Sequence, residues 1–293
     1  MHNLKEIRNR IASVQSTQKI TSAMKLVSAS KLRHIQSEIS QLRNYSEKLN
    51  TLLQKIITSM GKVCENTLFA KREPNNIVLI TVTSNRGLCG AFNTNIMKEV
   101  QNIVAEKYQQ QQKQGTLKLI CFGAKAVEQL HSNFEIVFND NAVIETHNFE
   151  EIEKISSGIM RDFAAKKIDK LEIIYNRFVN ATTQQVVIES FLPIESRTEE
   201  VAIENRNADY IFQPSQRELI NEIIPKVVTT KLYTIIIDSI AAEHGARMTA
   251  MAKATDNAVE ILKDLKLKYN NARQDTITNE LNEIVGGAEA LTS

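Results

Sequence analysis

The sequence predicts an α/β plus long-α fold: an antiparallel coiled coil of N- and C-terminal helices carrying a central Rossmann-like α/β domain. Three observations predict it. Residues 3–60 contain neither Gly nor Pro, so nothing interrupts a helix there. From Asn76 to Ile194, β-branched runs alternate with helical patterns. Beyond Pro225 an apolar heptad returns and continues almost to the end of the chain.

The first segment, residues 1–73, is read as the N-terminal long helix of the coiled coil. At 1.5 Å per residue, a helix over 3–60 extends roughly 85 Å, more than a compact domain is wide, and is expected to project. Its second half repeats Ile35, Leu42, Leu49, Ile56 and Val63 every seven residues, with Ile39, Leu53 and Met60 between them. The first half is different. "TQKITSAMKLVSASKLR", residues 17–33, offers Thr, Ser, Ala and Met where a seam wants Leu or Ile, and its other side is set with lysines.

The central domain is placed at 74–208. "NIVLITVTS" is the continuous apolar run of a strand buried on both faces, and a Gly-containing turn leads from it into the helical "NTNIMKEVQNIVAEKY". Strand "LKLICFG", helix "AKAVEQLHS", short strand "EIVF", helix "NFEEIEKISSGIMRDFAAKK" and strands "KLEIIYNRF" and "TQQVVIESFLPI" follow. This alternation predicts a largely parallel sheet covered by helices. "QQQQKQG", residues 109–115, reads as a polar loop or frayed helix end.

Residues 209–293 are read as the C-terminal long helix, returning to helix after Pro214 and Pro225 with Gly245 its only breaker before Gly286. Met251, Ala258, Leu265 and Ala272 recur every seven, and Ala254 and Ile261 complete the seam. Set antiparallel against Ile7, Ile11, Val14, Gln18 and Thr21, this seam pairs Ile7 with Leu265, Ile11 with Ile261 and Thr21 with Met251. Paired numbers then sum to 272 within about one helical turn. After Ile261 the equivalent positions are Lys268 and Asp275, so the first helix is expected to run out near residue 271.

Composition excludes several classes. No apolar run reaches the 18 or so residues of a membrane span, and "LYTIIIDSIAA" is broken by Asp238. The helical "LKEIRNRI" follows Met1 so closely that no signal or transit leader is expected, which predicts a cytosolic, bacterial chain. Cys64, Cys89 and Cys121 lack metal, redox or disulfide spacing and read as reduced, partly buried thiols. His147 and Glu150, set one helical turn apart, have no third ligand nearby. "SNRGLCGAFN", residues 84–93, sits where phosphate loops occur but lacks both G-x-x-x-x-G-K-[ST] and G-x-G-x-x-G, and reads as a tight strand-to-helix turn. No catalytic, cofactor or metal constellation is assembled from the residues. Net charge is only +2, yet residues 1–35 hold seven bases against the single acid Glu6, a balance of +6. An acidic neighbour is expected for that segment. Nucleic acid is the alternative, although the first 44 residues carry no aromatic side chain for stacking. A third possibility, an independent nucleotide enzyme, rests on the α/β domain alone.

"RIASVQSTQKITSAMKLVSASKLR", "SNRGLCGAFN" and "ARMTAMAKATDNAVEILKDLKLKYNNARQDTITNELNEIVGGAEAL" together closely resemble the gamma subunit of the bacterial F-type ATP synthase, across essentially the whole chain. The resemblance implies a non-catalytic rotor shaft coupling ion flow through a membrane c-ring to ATP synthesis or hydrolysis on the beta subunits. It implies alpha, beta, epsilon and c-ring partners, no cofactor, and a peripheral place on the cytoplasmic face of the inner membrane without direct insertion. It places beta-subunit contacts on Lys19, Met24, Lys25, Arg273 and Gln274, and c-ring or epsilon contacts on Tyr210 and Gln213. The disulfide-bearing insertion of chloroplast relatives is absent, which argues against thiol control.

Overall fold

The computed structural model describes residues 4–60, 67–194, 213 and 215–292. Helix α1 (Leu4–Met60) opens the chain and α7 (Gln216–Thr292) closes it, with a short 3-10 turn at Thr67–Phe69. Between them lie β1 (Ile77–Val82), α2 (Phe92–Lys107), α3 (Gln109–Gln114), β2 (Leu117–Phe122) and α4 (Ala124–Leu130). They are followed by β3 (Glu135–Asp140), α5 (Ala142–Thr146), α6 (Phe149–Ala164), β4 (Lys170–Phe178) and β5 (Gln184–Leu192). Of the two readings open for 109–115, a polar loop or a frayed helix end, the structure takes the helical one: the residues form α3, closed by Gly115 in the left-handed conformation.

The chain divides into two compact units, and the division cuts both long helices rather than following the expected boundaries at 73 and 208. One unit comprises 1–28 with 248–293, and the other 29–247. The inner halves of α1 and α7 pack with the sheet: Arg43 of α1 pairs with Asp238 of α7 and donates to Phe178 O of β4 at 3.3 Å, and Ala242 and Ala246 of α7 join the core on the sheet.

The larger unit holds a five-stranded sheet of order β3-β2-β1-β4-β5. β1 pairs in parallel with both β2 and β4, β2 in parallel with β3, and only β5 runs antiparallel to its neighbour. All six residues of β1 are buried, as its unbroken apolar sequence requires for a central strand. The edge strand β3 is mostly exposed. One face of the sheet packs on α2, where Ile96, Val100 and Ile103 meet Leu79, Leu119 and Ile174, joined by Ala242 and Ala246 of α7. Helix α6 buries Ile152, Ile159 and Phe163, and its Ser156 shares a 2.6 Å hydroxyl bond with Thr229 of α7.

Helix α7 begins nine residues before Pro225 and passes through it. A proline there forfeits a backbone hydrogen bond. Burial of Ile220, Ile224, Val227 and Val228 around it outweighs that loss.

Candidate interaction surfaces and the loop at the sheet mouth

In the smaller unit, α1 and α7 meet along a seam that is small and polar at its inner end. Thr21 and Thr255 share a hydroxyl bond of 2.8 Å, and Arg8 donates to the Tyr269 hydroxyl at 2.9 Å. These pairs sum to 276 and 277, at the edge of the one-turn range around the expected 272, and Thr21 meets Thr255 rather than Met251. Counting outward from Thr21, Val14 falls opposite Leu262, Ile11 opposite Leu265 and Ile7 opposite Tyr269.

Burial shows why the expected register slipped. Met251 and Ala258 are buried and Leu265 is half-buried, but Ile261 is 49% exposed while Leu262 is buried. The intervening seam positions are Thr255, Leu262, Tyr269 and Thr276, each one residue beyond the assigned Ala254, Ile261, Lys268 and Asp275. Taken this way, Lys268 and Asp275 point outward and no polar break ends the seam at Ile261. On α1, Ile7 is buried and Ile11 and Val14 are half-buried.

The outer surface of this unit is less poor in large apolar groups than "TQKITSAMKLVSASKLR" suggests. Ile20, Leu26 and Val27 are 57%, 68% and 57% exposed, beside the exposed Lys19 and Lys25. Met24 is half-buried. Past the last level of α1, α7 continues with Ile277, Leu281, Ile284 and Val285 on its surface, and Arg273 and Gln274 are exposed at the start of that stretch. Of the residues expected at the c-ring or epsilon contact, Gln213 is exposed, and Tyr210 lies outside the described residues.

In the larger unit, "SNRGLCGAFN" lies at the carboxyl ends of the parallel strands, where open α/β sheets hold ligands. Here it is bound to its own chain. Ser84 N donates to Asn93 Oδ1 at 3.1 Å, Asn93 Nδ2 donates to Ser84 Oγ at 2.8 Å, and Asn176 Nδ2 donates to Phe92 O at 3.0 Å. Leu88 and Gly90 take positive φ of 64° and 61° to close the turn. The Arg247 guanidinium of α7 then donates to Arg86 O at 3.1 Å and Gly87 O at 3.3 Å. Next door, Gly123 has φ 101°, and a Cβ there would fall 2.2 Å from Thr83 O. At the mouth of the sheet, an arginine thus occupies the carbonyls of this loop.

Arg247 belongs to a buried polar group. Glu243 pairs with it at 2.7 Å, and His244 Nδ1 lies 3.4 Å from its guanidinium. Burial pushes the Glu243 carboxyl up, against the opposing pull of Arg247. Burial first, then the neighbouring Arg247 and Lys31, lowers His244 to about 4. Glu243 and His244 lie outside the stretches the sequence singles out, and Arg247 enters only as the second residue of the C-terminal motif. Arg247 lies 160 residues from Gly87, and nothing local to either position signals the contact.

Cys89 and Cys121 are buried free thiols, and Cys64 lies outside the described residues. His147 closes α5 with a positive φ while Glu150 opens α6, so the two do not share a helix as their spacing suggested. Among the described residues no cluster of His, Cys, Asp or Glu is arranged to hold a metal, and no helix is long and apolar enough to cross a membrane.

A family profile described as ATP synthase matches residues 3–291. The ATP synthase gamma chain of Christiangramia forsetii is 47% identical over 291 residues, covering 99% of each chain. That of Cytophaga hutchinsonii is 44% identical over 295 residues and covers both chains fully. Among solved structures, a chain of the Euglena gracilis mitochondrial ATP synthase, in a structure of OSCP, F1 and c-ring, matches with TM-score 0.66 at 17% identity, covering 98% of this chain and 94% of that one. At that identity the likeness speaks for the fold. The comparisons give the nucleic-acid alternative no support. With profile and relatives both spanning its full length, the chain belongs to the ATP synthase gamma chain family.

Proposed function

We propose that this chain is the central rotor shaft of an F-type ATP synthase, coupling ion flow through a membrane c-ring to ATP synthesis or hydrolysis on an alpha-beta ring. Beyond family membership, one observation supports the reading. Among the described residues, ten of the seventeen exposed large apolar side chains lie in the smaller unit, which holds 74 of the 293 residues, 28 from the N-terminal segment and 46 from the C-terminal one. A paired-helix surface bearing apolar groups interspersed with Lys19, Lys25 and Arg273 fits enclosure by another protein. Its apolar groups are scattered along both helices rather than gathered into one anchor, which limits the depth of any single binding minimum.

In this reading Lys19, Met24, Lys25, Arg273 and Gln274 meet beta subunits, and Tyr210 and Gln213 meet the c-ring or epsilon. Catalysis belongs to the beta subunits, and the shaft, through contacts that differ with its angle, shifts the populations of their states. The complex places it peripherally on the cytoplasmic face of the inner membrane. The test mixes the purified full chain with an alpha-beta ring and, separately, with duplex DNA and RNA at physiological salt. Assembly with the ring and faster ATP turnover by the assembled complex are expected. Retention by nucleic acid with no affinity for the ring overturns the proposal.

A further inference from the structure

Among the described residues, part of the sheet of the larger unit stays uncovered on the side of α6. Between that helix and the edge strand lies a groove of about 590 Å³. Its floor is apolar, formed by Val78 of β1, Ile120 of β2 and Val137 and Phe138 of β3. The last two are 46% and 41% exposed although both belong to a strand. Ile155 and Ile159 form the wall.

The rim is mostly basic. Lys118, Lys154 and Lys167 border the groove with a single acid, Asp162. Lys167 is paired with Asp162 at 3.1 Å and Lys118 with Glu135 at 3.4 Å. Lys154 makes no hydrogen bond or ion pair among the described residues and stands as the free cation of the rim.

Gly158 supplies a second, independent observation. It lies inside the sixteen-residue α6, where glycine lowers helix stability relative to alanine, and it lines the groove. A Cβ at Gly158 would meet no atom within 4 Å. No neighbour among the described residues therefore requires the glycine. What it does is widen the groove.

We propose that this groove binds an amphiphilic anion, a single apolar chain carrying one carboxylate, with the chain on Ile120, Val137 and Phe138 and the head toward Lys154. The groove is a cleft between a helix and an edge strand rather than a flat plane, which suits one free chain and not a bilayer. The rotor reading neither requires this site nor depends on it.

The full chain is titrated calorimetrically with sodium dodecanoate below its micelle concentration, and with dodecanol and dodecylammonium as comparisons. Saturable one-to-one binding of dodecanoate is expected, and dodecylammonium should bind more weakly. Lys154→Gln should weaken dodecanoate about tenfold, the scale of one charge-assisted contact, and leave dodecanol unchanged. Gly158→Leu should abolish binding of both while holding or raising the melting temperature, since its Cβ enters open space and the helix gains propensity. Ile155→Gln, which makes the wall polar, should weaken dodecanoate and dodecanol alike. Absence of saturable dodecanoate binding, equal binding of dodecylammonium, or binding undiminished in folded Gly158→Leu overturns the site.

Discussion

At the scale of single residues, Arg247 has the most depending on it, because one guanidinium neutralises Glu243 and holds two carbonyls of the 84–93 loop. Both members of the pair are only 9% exposed at their side chains. Arg247→Met should lower unfolding free energy by about 3–5 kcal/mol, since it strands a buried carboxylate. The double variant Glu243→Gln/Arg247→Met should recover part of that loss in urea denaturation, and no recovery would show that the loop contacts dominate. His244 gives the same site a pH dependence. Its folded pKa of about 4 lies below the ordinary 6.5, so the unfolded chain takes up the proton first. The stability it contributes is full above pH 6.5 and is lost as pH falls toward 4, by at most about 3 kcal/mol. The facing groups are Arg247, Lys31 and His147, all of which disfavour the added charge, and Glu243, whose raised pKa favours protonation in the folded state and offsets part of the loss at the acid end. His244→Gln should flatten the stability profile between pH 6.5 and 4. An unchanged profile would place the titration elsewhere.

At the scale of elements, periodicity made the strands and both long helices legible, because a residue's face follows from its number within a strand or helix. It did not fix the seam of α7. Met251, Ala258, Leu265 and Ala272 belong equally to a seam through Ile261 and to one through Leu262, and only packing against α1 selects Leu262. The choice moved the register by a turn. A Thr21→Cys/Thr255→Cys pair should therefore oxidise readily under mild conditions, and Thr21→Cys/Met251→Cys should lag well behind it. The reverse order would restore a sum of 272. Gly245, expected to break the helix, is carried inside α7, and its role lies elsewhere: a Cβ there would sit 3.1 Å from Ala181 O in the turn after β4. Gly245→Val should destabilise the larger unit by about 2 kcal/mol through overpacking against that turn, measured by thermal unfolding. Pro225 teaches the converse, since a residue that argues against helix is overruled by four buried aliphatic neighbours whose burial no local window reveals.

At the scale of the whole molecule, the family motifs span both termini and carried the functional reading, while the groove beside α6 left no trace in the sequence because its residues come from three strands, a helix and the loops that join them. Function at this scale concerns residues that do nothing for the fold, and Arg273 is the clearest of them. It is exposed, makes no hydrogen bond or ion pair among the described residues, and sits one position past Ala272, which the observed register sets opposite Leu4 at the start of α1. From there α7 continues with its apolar groups in the open. A bidentate bond to a beta carboxylate, made at one shaft angle per beta subunit, would bear on the order of catalytic states and not on the stability of the shaft. Arg273→Ala should accordingly leave the melting temperature of the isolated chain and the yield of assembled complex unchanged. It should lower steady-state ATP turnover by up to about tenfold, the scale of one lost charge-assisted contact. Arg273→Lys, which keeps the charge but not the planar fork, should restore only part of the rate. Reduced assembly with normal turnover in whatever does assemble would make Arg273 a structural residue and move the working contact elsewhere on α7.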